Sequence, residues 1–66
     1  MRIQLNGDAA DVADEATVAE VLAARGYELR YVALALNRRC LRRGDAATVR
    51  LSPGDELEIL APMAGG

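Results

Sequence analysis

Arg2-Ile3-Gln4-Leu5-Asn6 alternates polar and apolar residues, the period of a strand with one buried face, and Gly7 follows at once. Asn-Gly is the dipeptide best suited to a type I′ turn, because both central residues of that turn need φ > 0. The chain therefore opens with a β-hairpin, whose weaker second arm carries Ala10 and Val12. Whatever follows has to cover the apolar face that Ile3 and Leu5 present.

The next segment can do so. Thr17-Val18-Ala19-Glu20 matches a capping box, in which Thr17 and Glu20 satisfy free N–H groups at a helix start. Val18, Val21 and Leu22 fall on one helical face. Asp14 and Glu15 precede the positive end of the helix dipole, Arg25 suits the negative end, and Gly26 suits the left-handed C′ position. The pattern predicts one short helix at about 17–25.

Residues 31–36 read as a third strand, with Val32, Leu34 and Leu36 facing the core and the small Ala33 and Ala35 facing out. Residues 37–48 form a polar connection with a short strand around Cys40 and Leu41. Ser52-Pro53-Gly54-Asp55 places proline and glycine at the centre of a type II turn. Residues 56–61 form the last strand, with Leu57 and Ile59 inward and Glu58 and Leu60 outward. Pro62 has no N–H for the ladder and ends it.

The order β-β-α-β-(β)-β predicts an α+β chain of the β-grasp class: a mixed sheet of four to five strands packed on one short helix. The first and last strands should lie side by side and parallel. Residues 1–61 form the domain, and residues 62–66 form a flexible tail ending in Gly65-Gly66. A chain of 66 residues holds one domain. At this size folding buries only about 60 % of the unfolded chain's surface, so the core must be economical. Fourteen aliphatic side chains are placed to face it: Ile3, Leu5, Val12, Val18, Val21, Leu22, Val32, Leu34, Leu36, Leu41, Val49, Leu51, Leu57 and Ile59.

Composition excludes most chemistry. All eight basic residues are arginine, and histidine is absent. General-base, Schiff-base and zinc chemistry therefore lack their usual side chains, and neither a metal site nor a bound cofactor is expected. The chain reads as a non-enzyme. A net charge of −2 and two aromatic residues give no reason to expect nucleic acid. No apolar run approaches the roughly 18 residues that span a bilayer, so no membrane association is expected. A single cysteine, Cys40, permits no internal disulfide, and no signal peptide is recognisable; both fit a cytoplasmic protein. Cys40 is expected to be an inert, partly buried thiol.

The remaining reactive group is the end of the chain. The α-carboxylate of Gly66, with a pKa of about 3.3–3.7, is ionised at neutral pH and can attack the α-phosphate of ATP without a local base. Two consecutive glycines let the backbone lie close to a nucleotide. Five extended residues reach roughly 16–18 Å, enough to enter a narrow cleft in another protein. Glycine-rich ends are also commonly frayed, and that alternative stays open on the residues alone.

With these pieces assembled, the chain resembles the ThiS family of sulfur carriers for thiamine biosynthesis along nearly its whole length. The resemblance lies in Ile3-Gln4-Leu5-Asn6-Gly7, Thr17-Val18-Ala19-Glu20-Val21-Leu22, Val32-Ala33-Leu34-Ala35-Leu36-Asn37, Gly54-Asp55-Glu56-Leu57-Glu58-Ile59 and Ala61-Pro62-Met63-Ala64-Gly65-Gly66. It implies a ubiquitin-like β-grasp and a defined cycle. A ThiF- or MoeB-type enzyme uses ATP to adenylate the terminal carboxylate. A sulfur donor, a cysteine desulfurase or similar, supplies sulfur to give a thiocarboxylate, and thiazole synthase accepts it. Gly66 would carry the sulfur and Gly65 would permit access. Ala33, Ala35, Glu58 and Leu60, with Pro62 and Met63 in the tail, are the candidate partner-binding residues.

One departure stands out. Many relatives have Gly-Glu after the asparagine where this chain has Arg38-Arg39, and Arg42 and Arg43 follow closely. These four arginines read either as a solvated loop or as a partner-docking or anion site. Two further readings of the whole chain compete: a carrier like the small subunit of molybdopterin synthase, and a noncovalent β-grasp interaction module.

Overall fold

The computed structural model describes residues 1–61; the tail 62–66, with its expected flexibility, lies outside the described residues. Five strands form one sheet: β1 (Arg2–Leu5), β2 (Asp8–Asp11), β3 (Ala33–Leu36), β4 (Arg39–Leu41) and β5 (Glu56–Leu60), in the order β2-β1-β5-β3-β4. β1 and β5 are parallel, as predicted, and every other neighbouring pair is antiparallel. The opening hairpin turns on Asn6 at φ 50° and Gly7 at φ 87°, the left-handed pair that a type I′ turn requires.

The helix α1 (Val18–Ala24) begins with the predicted capping box. The Thr17 hydroxyl accepts from the Glu20 amide at 3.1 Å, and the Glu20 carboxylate accepts from the Thr17 amide at 2.7 Å. It ends in a Schellman motif at Gly26, φ 80°, with the Gly26 amide donating to the Ala23 carbonyl and the Tyr27 amide to the Leu22 carbonyl. Val18, Val21 and Leu22 join Ile3, Leu5, Leu34, Leu57 and Ile59 in a single core. Of the fourteen expected core residues, Val12, Leu36, Leu41 and Val49 are half-buried and the rest are buried.

Three expectations need correction. Tyr31 does not belong to a strand. Residues Leu29–Tyr31 form a 3-10 turn, and β3 starts at Ala33 because its partner β5 ends at Leu60, which pairs with Ala33. With no neighbour left to pair with, Tyr31 and Val32 donate instead to the Glu28 and Leu29 carbonyls. The start of the polar connection is a second tight hairpin, since Asn37 (φ 50°) and Arg38 (φ 68°) join β3 to β4 as a two-residue turn. Cys40 is exposed rather than partly buried, because it faces outward on an edge strand opposite Ala35.

Ala16 and Ala46 are buried members of the core that the aliphatic pattern missed. Ala46 sits just after a 3-10 turn (Arg43–Asp45), and its carbonyl accepts from the Ala19 amide at 2.9 Å. Together with the Val18 amide on the Val49 carbonyl and the Leu51 amide on the Ala16 carbonyl, this bond ties the long connection to the start of α1.

Candidate functional site

The tail leaves the sheet from its central strand. β5 lies between β1 and β3 with Leu57 and Ile59 buried below, so its last residues are held on both sides. At the β1 edge the ladder runs from the Gln4 amide on the Asp55 carbonyl (2.8 Å) to the Asn6 amide on the Leu57 carbonyl (2.9 Å). There β1 turns away into its hairpin. The Asn6 Oδ1 takes over and accepts from the Ile59 amide at 2.7 Å, which extends the pairing by one step towards the tail. At the other edge the Asn37 Oδ1 accepts from the Glu56 amide at 2.9 Å, and its Nδ2 donates to Asp55 at 3.1 Å. β5 is thus held along its length, at its start by Asn37 and as far as buried Ile59 by Asn6.

The four candidate partner-binding residues in the described chain lie together on the sheet. Ala33 pairs with Leu60 and Ala35 with Glu58 across the β3–β5 ladder, so all four side chains share the sheet face opposite α1. Ala33, Glu58 and Leu60 are exposed and Ala35 is half-buried. Pro62, Met63, Gly65 and Gly66 lie outside the described residues.

Sequence reasoning overlooked Arg30 and Tyr31 beside Leu60. A shallow groove at the end of β5 is lined by Arg30, Tyr31, Ala33, Arg42, Arg43, Leu60 and Ala61, among others. The Arg30 guanidinium lies over the Tyr31 ring, 4.8 Å from its centroid, and the Arg43 Nη1 donates to the Arg30 carbonyl at 2.6 Å. Arg42 pairs with Asp45 at 3.2 Å. Arg38, by contrast, lies 3.8 Å from Glu56 with both side chains largely in solvent. The four arginines of the loop therefore do not act as one patch: Arg42 and Arg43 reach the groove, and Arg38 and Arg39 do not line it. Tyr31 is the last residue of its 3-10 turn, and that turn exposes the aromatic ring beside Arg30.

Among the described residues no group of three potential metal ligands gathers, and no helix is long and apolar enough to cross a membrane. The Glu20 carboxylate is held below its ordinary pKa, chiefly by its bond from the Thr17 amide, and it belongs to the helix cap.

The family model of ThiS matches residues 3–66, the entire chain but for its first two residues. Among solved structures, the crystal structure of a thiamine biosynthesis protein, ThiS, from Geobacter metallireducens superposes with a TM-score of 0.84 at 32 % identity, covering 100 % of both chains. An NMR solution structure of the Geobacter metallireducens protein gives 0.82 at 32 % identity, over 100 % of this chain and 88 % of that one. No curated protein matches the chain.

Proposed function

Because the chain belongs to the ThiS family, we propose that it is a sulfur carrier of thiamine biosynthesis whose working group is the Gly66 carboxylate. The observation that carries this reading is the family match running through Gly66, on a chain with no lysine, no histidine and one cysteine. The likeness to the Geobacter protein over 100 % of both chains supports the same reading.

A terminal carboxylate oxygen attacks the α-phosphorus of ATP on an adenylating enzyme of the ThiF or MoeB type, and pyrophosphate leaves. The acyl-adenylate makes AMP the leaving group, so a sulfur nucleophile can attack a carbonyl that was a poor electrophile as a carboxylate. The sulfur then rests on Gly66 as a thiocarboxylate and passes to thiazole synthase. In this cycle the folded part supplies a grip and an anchor, and its own side chains do no chemistry. Such a carrier meets its enzymes in the cytoplasm.

The test is intact-mass spectrometry after incubation with the adenylating enzyme, ATP and a sulfur donor. The expected product is heavier by the exchange of one oxygen for sulfur, and the chain lacking Gly66 remains unconverted while its circular dichroism is unchanged. An unconverted full-length chain, or equal conversion of the chain lacking Gly66, overturns the reading.

A further inference from the structure

We propose that the arginine-rimmed groove at the end of β5 receives a partner surface in which apolar side chains are flanked by carboxylates. The inference rests on the carrier reading, and the partner is the adenylating enzyme that must hold this chain while its terminus reacts.

Tyr31 and Leu60, 57 % and 65 % exposed, are the exposed large apolar side chains among the described residues, and both line this groove. Two such side chains in one concavity, beside small alanines, form the apolar centre of a contact. Around them stand Arg30, Arg42 and Arg43. Arg30 pairs with Glu28 and Arg42 with Asp45, each at 3.2 Å and in solvent. Arg43 has no carboxylate partner among the described residues, so the rim keeps a net positive charge in a chain of net charge −2.

The arginines are also held in place. The Arg43 guanidinium is fixed by the Arg30 carbonyl, and among the described residues no carboxylate lies within ion-pairing distance of it. Arg30 is braced over Tyr31. A guanidinium already ordered by a backbone bond loses less freedom on meeting a carboxylate than a free one. Charges at the rim of an interface chiefly raise the rate of encounter and set its register. Register matters here because Ala61, the last described residue before the tail, forms part of the groove wall. Fixing the groove against a partner fixes where the tail begins.

The experiment measures ATP–pyrophosphate exchange by the adenylating enzyme as a function of carrier concentration. The chains compared are the unmodified protein, the double variant R42E/R43E, and R25E, a reversal at the exposed end of α1 away from the groove. Circular dichroism establishes that each is folded, and R43A serves as a milder variant should R42E/R43E prove unfolded. The expected result is a KM for the carrier raised by about tenfold or more in R42E/R43E with kcat unchanged, and no change in R25E. Raising salt from about 0.1 M to about 1 M should raise KM for the unmodified chain and change it little for the double variant. An unchanged KM in the folded groove variants, an equal effect of R25E, or a loss confined to kcat overturns the inference while the carrier reading stands. Absence of exchange with the unmodified chain defeats both.

Discussion

Asn6 and Asn37 occupy the same position in two tight turns on opposite sides of β5, and each accepts a hydrogen bond from a β5 amide through its side chain. Asn6 bonds to Ile59 at 2.7 Å and Asn37 to Glu56 at 2.9 Å. Asparagine tolerates the left-handed backbone of the turn and carries a short acceptor, so one residue both turns its own strand and pairs with the next. Asn37 thereby secures the start of β5, and Asn6 extends its pairing at the other edge as far as Ile59, next to the last residue of the strand.

Asn6→Ala should destabilise the fold by about 1–3 kcal/mol, since it leaves the amide of buried Ile59 without a partner and forces a Cβ-bearing residue without a compensating side chain into φ > 0. Asn6→Gly relieves the backbone but still loses the acceptor, and Asn6→Asp keeps both. Chemical denaturation should therefore rank stability as native or Asp above Gly, and Gly above Ala. Equal stability of the native and alanine chains would refute the role.

Arg38 holds φ 68° in the second turn, where glycine is at no disadvantage. Its ion pair with Glu56 is long and solvent-exposed and contributes little. Arg38→Gly should therefore raise stability, by about 1 kcal/mol from the left-handed strain relieved. A lower melting temperature in the variant would show that Arg38 makes a contribution beyond its backbone.

The Glu20 cap is pH-dependent. Bonds from the Thr17 amide and hydroxyl lower the Glu20 pKa below its ordinary value of 4.5, so the folded state binds this proton less readily than the unfolded state. Its stabilisation is complete above the unfolded-state value and is lost as pH falls through the lower folded one. Glu20→Gln should flatten that part of the stability–pH curve, as read by urea denaturation from neutral pH into the acid range. Removing the other half of the box, Thr17→Ala, should cost about 1 kcal/mol even at neutral pH.

Ala46 is fully buried between the long connection and α1. Ala46→Leu adds volume to a packed site and should destabilise the fold by about 1–3 kcal/mol, whereas Ala47→Leu, at an exposed neighbour, should change the melting temperature little. Equal effects at both positions would contradict the packing described.

The elements were legible in the residues because each has a local cause. Asn6-Gly7 demands its turn wherever it lies, Thr17 and Glu20 cap a helix within one turn of chain, and alternation around Ile3 and Leu57 marks strands by period alone. The same locality explains what was missed. Alanine carries no strong signal of burial, so Ala16 and Ala46 became core residues only when distant segments closed over them. Arginine is no turn former, and Asn37-Arg38 turns because β3 and β4 pair on either side of it. Tyr31 has a strand former's side chain, yet β5 ends before reaching it.

The candidate site divides along the same line. The outward register of Ala33, Ala35, Glu58 and Leu60 follows from the order of residues, because strand period is a property of the chain itself. The groove does not. Arg30, Arg43 and Leu60 are far apart along the chain, and only the return of β5 beside β3, with the 3-10 turn of residues 43–45 folded against Arg30, brings them together. Local sequence determined which elements form and which faces they show. The pairing of β5 between β1 and β3 decided which exposed side chains surround the base of the tail, because non-local contacts exist only once the sheet has closed.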